Sequence, residues 1–278
     1  DTTSGHVQFY QASAANISKQ QALIKAATQF VNDVYANATA NDVDHRVSVI
    51  GFSNNGAATT KVGLVNDIRN NYQTVLTAVS GLNANGGTYI EDGMANAKAA
   101  FDNAAATTAT KRNRVVVVFT DGIPGSGSWG NSTISNSANP AIQTSYELKN
   151  TYGATVYTIG MLNDANPELE ISDESNDSAR TNKFLHYLSS NYPNAKSMSD
   201  GGTGSNQGYY LSASDTASLE AIFKKISESI STPSISLGSE TVIRDVLAEQ
   251  FTMPANASDI KVYTADATSA NGATWASP

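Results

Sequence analysis

The chain has 278 residues, 40% of them hydrophobic, a formal net charge of −8 and no cysteine, enough for one core of about 200 residues and part of a second domain. The acidic balance argues against a nucleic-acid partner, which needs a basic face, and the missing cysteines exclude disulfides and thiolate metal sites. A charged fraction of only 15%, beside abundant Asn, Ser, Thr and Ala, suits an extracellular bacterial protein, and no apolar run reaches the roughly 20 residues that a membrane-inserted helix needs.

Residues 1–16 hold no sustained period and read as a loop without a signal peptide, the opening of a mature or excised chain. From Ser18 the pattern is helical. Leu23, Ala26, Ala27, Phe30, Val31 and Val34 form one stripe, with Ser18 as N-cap and Gln21 at the capping-box position. Residues 46–53 alternate as a strand, Asn54-Asn55-Gly56 turns the chain, and residues 59–65 suit a short strand at a sheet edge. Residues 67–82 and 90–103 read as helices, the second opened by the turn Gly86-Gly87-Thr88. Val115 to Phe119 is a continuous apolar run, a strand buried on both faces. It ends in Thr120-Asp121-Gly122. A loop rich in Gly, Ser and Asn is expected to about Ala138, then a helix from Pro140 to Asn150. A buried strand at 154–160, an irregular stretch at 163–178 and a short helix at 183–191 follow. A glycine-rich loop at 200–208, a strand at 209–211 and an amphipathic helix at 219–230 complete the alternation.

Strand and helix alternating in this way argue for an α/β fold, a doubly wound and mostly parallel sheet flanked by helices. Beyond Pro233 the texture changes to short β-like runs at 235–237, 240–246 and 260–263. The expectation is an α/β domain over 1–232, and a short β-rich segment over 233–278 that belongs to a neighbouring β-sandwich.

Ligands of open α/β sheets sit beyond the carboxyl ends of the strands, where Asp121 falls. Taken singly, Gly-Gly-Thr is a threonine-capped helix start, and an aspartate at a strand end is a cap. His6, His45 and His186 have no zinc spacing and read as structural or solvated. The glycine-rich stretches at 125–130 and 201–208 lack the phosphate-loop pattern. Phe119 stands where an Asp-x-Asp-Gly phosphatase needs its nucleophile, and no Gly-x-Ser-x-Gly elbow occurs, so no enzyme is expected. Trp129, in the loop after Asp121, is the aromatic candidate for ligand contact.

Five features share a characteristic order and spacing. They are Ser-Lys-x-x-Ala-Leu-x-x-Ala-Ala from Ser18, Arg-Val-Ser-Val-Ile-x-Phe-Ser from Arg46, Gly-Gly-Thr at 86–88, Thr-Asp-Gly at 120–122 and Val-Tyr-Thr-Ile-Gly from Val156. Together they resemble the von Willebrand factor A domain of Gram-positive surface and pilus-tip adhesins, over about 18–230. The resemblance implies a metal-ion-dependent adhesion site at the carboxyl edge of the sheet. It would hold Mg2+, or another divalent cation such as Mn2+ or Ca2+, on Thr88 and Asp121. The family's first metal loop, Asp-x-Ser-x-Ser, is not matched by Asp1-Thr2-Thr3-Ser4-Gly5. Either Asp1 and Thr3 are a degenerate remnant, or the first strand and its loop lie upstream. A sheet without its central strand would leave two long edges unpaired, which favours the second. The implied function is an extracellular adhesin module, cell-wall or pilus associated. Its partners would be a host matrix or cell-surface protein and other pilus subunits, without membrane insertion. The alternative is a structural pilus or stalk module with no ligand or metal of its own.

Overall fold

The computed structural model describes residues 17–105, 112–169, 171 and 174–231. The chain parts into two units, Asp1–Pro233 and Ser234–Pro278, and every described residue belongs to the first. Asp1, Thr3, His6 and the β-like runs of the tail lie outside the described residues.

Helix α1, Lys19–Asn41, starts at the expected capping box. The Ser18 hydroxyl accepts the Gln21 N–H at 3.2 Å and the Gln21 side chain accepts the Ser18 N–H at 2.9 Å. Strands β1, Val49–Gly51, and β2, Thr59–Val62, form an antiparallel pair. The alternating run 46–53 pairs only over three residues. Its register slips between Val49 and Ile50, and Ser48 turns its hydroxyl to the Val62 carbonyl at 2.6 Å. Helix α2, Ile68–Ser80, is capped by the Asp67 carboxylate, and α3 spans Ile90–Ala105. Strand β3 is Arg114–Thr120.

The loop after β3 ends earlier than the sequence suggests. Helical chain begins at Asn131 as α4, Asn131–Thr133, passes through a π-turn at Ile134–Ala138 and continues as α5, Asn139–Asn150. The Asn139 N–H reaches back five residues to the Ile134 carbonyl. The next residue, Pro140, has no N–H to place, so the wide turn and the proline share one irregularity instead of ending the helix. Strand β4 is Ala154–Gly160. Helix α6 is Asp177–Leu188, where a shorter helix at 183–191 was expected. Asn176 caps it by accepting the Ala179 N–H at 2.9 Å, and it stops at Ser189. Strand β5, Tyr210–Ser212, and helix α7, Thr216–Ser231, follow.

β3, β4 and β5 form a parallel sheet in that order, and β1–β2 a separate pair. Successive residues of β3 point to opposite faces. Val115, Val117 and Phe119 meet α1 and α7 around Ile159, Leu219, Phe223 and Ile226. Val116 and Val118 meet α3, α5 and α6 around Met94, Ile142 and Phe184. The sheet is thus covered by helices on both faces, as the all-apolar strand requires. α1 also packs on α2 and the β1–β2 pair through Val31 and Val34, so one helix spans both sheets.

Candidate metal centre

Three segments meet at the carboxyl ends of β1 and β3. The chain leaving β1 presents Ser53 and Asn54. The Ser53 carbonyl accepts the Tyr89 N–H at 3.0 Å, and Asn54 Oδ1 accepts the Gly87 N–H at 2.9 Å. The approach is tight enough to demand glycine at 86. A Cβ there would lie 2.2 Å from Asn54 Oδ1, on a backbone at φ +81°. Asp92, in the first turn of α3, accepts the Gly56 N–H at 2.6 Å.

Thr88 is joined to the loop after β3 by two backbone bonds of 2.8 Å, Thr88 N–H to Gly125 O and Gly125 N–H to Thr88 O. Its hydroxyl rests against Gly122, where an added Cβ would sit 2.5 Å from Thr88 Oγ1. On the other side of Asp121 the buried Thr120 hydroxyl accepts the Gly122 N–H at 3.3 Å and donates to the Gly122 carbonyl at 3.2 Å. The Thr-Asp-Gly turn is fixed by its neighbours, while Asp121 faces solvent and Thr88 is half-buried. The two loops that the sequence pairs are therefore in contact. Threonine hydroxyl and aspartate carboxylate are hard oxygen donors of the kind that Mg2+, Mn2+ or Ca2+ takes, with water filling the remaining positions. Among the described residues no group of three His, Asp or Glu could hold an ion, so these donors fit a cation only as part of a larger shell.

The sequence did not single out Asn54, Asp92, Glu91 or Ser137. The Ser137 hydroxyl, in the π-turn, donates to the Glu91 carboxylate at the start of α3. Burial holds the Glu91 carboxyl above its usual range, and the Ser137 hydrogen bond works against that. Trp129 does not reach out as a ligand contact. Its indole N–H donates to Thr181 Oγ1 at 2.9 Å and its ring meets Phe184 edge-on at 6.1 Å, which pins the loop after Asp121 to α6. His45 bonds Asn37 Oδ1 at 2.8 Å, and His186 is buried.

The sequence model of the von Willebrand factor type A domain matches residues 14–200. No curated protein matches the chain. Among solved structures it is similar to the pilus adhesin SpaC from Lactobacillus rhamnosus GG, with 16% identity and a TM-score of 0.51. That match covers 77% of this chain and 28% of SpaC. The PilB minor pilin from Streptococcus sanguinis matches with 18% identity and a TM-score of 0.52, over 78% of this chain and 55% of PilB. The vWF domain of the type V pili tip protein Mfa5 from Porphyromonas gingivalis matches with 13% identity and a TM-score of 0.51, over 78% of this chain and 90% of that one. The chain thus spans well under two thirds of SpaC and of PilB, and at these identities the likeness is one of fold. The match that runs from just ahead of α1 to residue 200 covers more than half of the chain, which therefore belongs to the family of von Willebrand factor type A domains.

Proposed function

We propose that this domain is an extracellular, cell-wall or pilus-associated adhesion module and not an enzyme. A divalent cation, Mg2+ in the first place, is held by Thr88 and Asp121. The cation takes an acidic side chain of a host matrix or cell-surface protein, and other pilus subunits are further partners. One observation carries the reading: the Thr88 and Asp121 loops are bonded to one another at the carboxyl edge of the sheet, with Asp121 open to solvent. The fold shared with pilus proteins lends it support, and among the described residues no helix is long and apolar enough to cross a membrane. The second reading is a structural pilus or stalk module without ligand or metal of its own.

Calorimetric titration of the intact protein with Mg2+ separates the two. The adhesion reading expects saturable binding, lost in Asp121→Ala and weakened in Thr88→Ala, together with EDTA-sensitive adhesion to immobilised matrix protein. Asp121→Ala should melt within about 0.5 kcal/mol of the parent, as for a substitution away from the core. A parent that takes no Mg2+, or an Asp121→Ala variant that still adheres in a Mg2+-dependent way, rejects the assignment.

A further inference from the structure

His186 lies in the last turn of α6 with 2% of its surface exposed. Its Nε2 is 2.9 Å from the Pro167 carbonyl oxygen. A carbonyl only accepts, so Nε2 carries the proton. Its Nδ1 is 3.0 Å from Nδ2 of Asn191, which is fully buried. The orientation of that amide is set from its other end. Asn191 Oδ1 accepts the backbone N–H of Gln207 at 2.8 Å and of Tyr209 at 3.1 Å, so Nδ2 faces the ring and donates to it. The imidazole is therefore held neutral, protonated at Nε2 and accepting at Nδ1.

Asn191 and Pro167 also anchor the glycine-rich segment ahead of β5. The Asn191 carbonyl accepts the Ser205 N–H at 3.1 Å. The Asn206 amide donates to the Pro167 carbonyl at 3.0 Å and to Glu168 Oε1 at 2.9 Å. Between these pieces is a cavity of about 290 Å³ whose wall includes Glu168, Leu169, His186, Tyr192 and Asn206. A proton on His186 Nδ1 would point at the Asn191 amide hydrogens. Turning the amide to accept it would set the same hydrogens against the N–H groups of Gln207 and Tyr209. Either arrangement breaks bonds that hold the segment.

We propose that His186 and Asn191 form an acid-sensitive latch: with His186 neutral it holds residues 205–209 against Asn191 and the chain after β4, and protonation releases them. The groups that face the ring come from every element around it. Glu168, from the chain after β4, favours the imidazolium. The phenols of Tyr192 and Tyr210 meet the ring edge-on at 6.0 and 5.0 Å and are uncharged, burial having raised both. From α5 the Lys149 amine, itself lowered to about 7 by burial, bonds the carbonyls of Tyr187, Ser189 and Tyr192. Burial outweighs the Pro167 hydrogen bond and the Glu168 charge, and lowers the histidine below its usual range. A group lowered in this way gives its full contribution above the ordinary histidine value near 6.5 and loses it as pH falls below that.

The test is amide hydrogen exchange of the whole chain at pH 7 and pH 5, corrected for the intrinsic rate, with the nitrogen shifts of the ring recorded at pH 7. Gln207 and Tyr209 should lose at least ten-fold protection at pH 5 while amides in β4 keep theirs, and the shifts should report the Nε2–H form. In Asn191→Asp a carboxylate replaces the donor, so the imidazolium becomes the bonded form and the dependence should reverse, with more protection at pH 5. An Nδ1–H ring at pH 7, protection unchanged between the two pH values in the parent, or an Asn191→Asp variant that keeps the parent's direction overturns the proposal.

Discussion

Lys149 shows how much one buried side chain can hold. Its amine lies 3.0–3.1 Å from three carbonyls, those of Tyr187, Ser189 and Tyr192, and so places all three of its donors. Two of those carbonyls belong to the end of α6, where the helix has no N–H groups left to offer and its dipole favours a positive charge. Burial pushes Lys149 down to about 7. Lys149→Met keeps the bulk and removes the donors. The expected loss is about 2–4 kcal/mol, from orphaning buried carbonyls at about 1–3 kcal/mol each with partial relaxation, read as a lower urea midpoint with an unchanged slope. A variant as stable as the parent would mean that water replaces the amine. Residues of this kind explain where the sequence fell silent. The meeting of the Thr88 and Asp121 loops was legible because each belongs to a three-residue motif with its own turn chemistry. Asn54, Asp92 and Ser137 find their partners 33, 36 and 46 residues away, and nothing local marks them.

At the scale of elements, periodicity located the helices and strands that bury an apolar stripe or run, and it missed those whose first turns are polar. α6 opens with Asp177, Ser178 and Arg180, and the buried Asn182 that follows is satisfied by side-chain hydrogen bonds to the chain after β4. α4 opens with Asn131, Ser132 and Thr133, and Pro140 hides the continuity, because the π-turn that accommodates it has no signature in the sequence. That turn brings Ser137 to Glu91. Ser137→Ala leaves the half-buried carboxylate without this donor, at an expected cost of about 1–2 kcal/mol at neutral pH, discounted for partial exposure. The Glu91 carboxyl already titrates above its usual range, so its ionisation weakens the fold as pH rises through that range, and the hydroxyl limits the damage. The penalty of Ser137→Ala should therefore be larger at pH 7 than at pH 3.5. Equal shifts in denaturant midpoint at the two pH values would show that the hydroxyl does not serve the charged form.

For the whole molecule, α7 closes the α/β unit. Leu219, Phe223 and Ile226 are buried against the sheet and α1, with Phe223 meeting Phe30 edge-on at 5.8 Å. We expect a chain cut after Thr232 to fold, with its helical circular dichroism intact and the lost signal β-like. An unfolded product would put the tail in the core. The α/β alternation was readable over this whole unit because each crossover from strand to helix to strand repeats the same pattern. The separation of β1–β2 from β3–β5 was not, since which strand pairs with which depends on backbone geometry that composition does not encode. α1 and α7 run side by side in the same direction, with Lys25 paired to Glu220 near one end and Asp33 reached by Ser227 further along. The chain that enters α1 at Lys19 and leaves α7 at Ser231 therefore does so at opposite ends of one helix pair, offset by roughly 26 Å at 1.5 Å per residue. Tension drawn between those two points would act along the helix axes. The Phe30–Phe223 contact and the Lys25–Glu220 pair would then be loaded together, in shear, rather than peeled apart one after another.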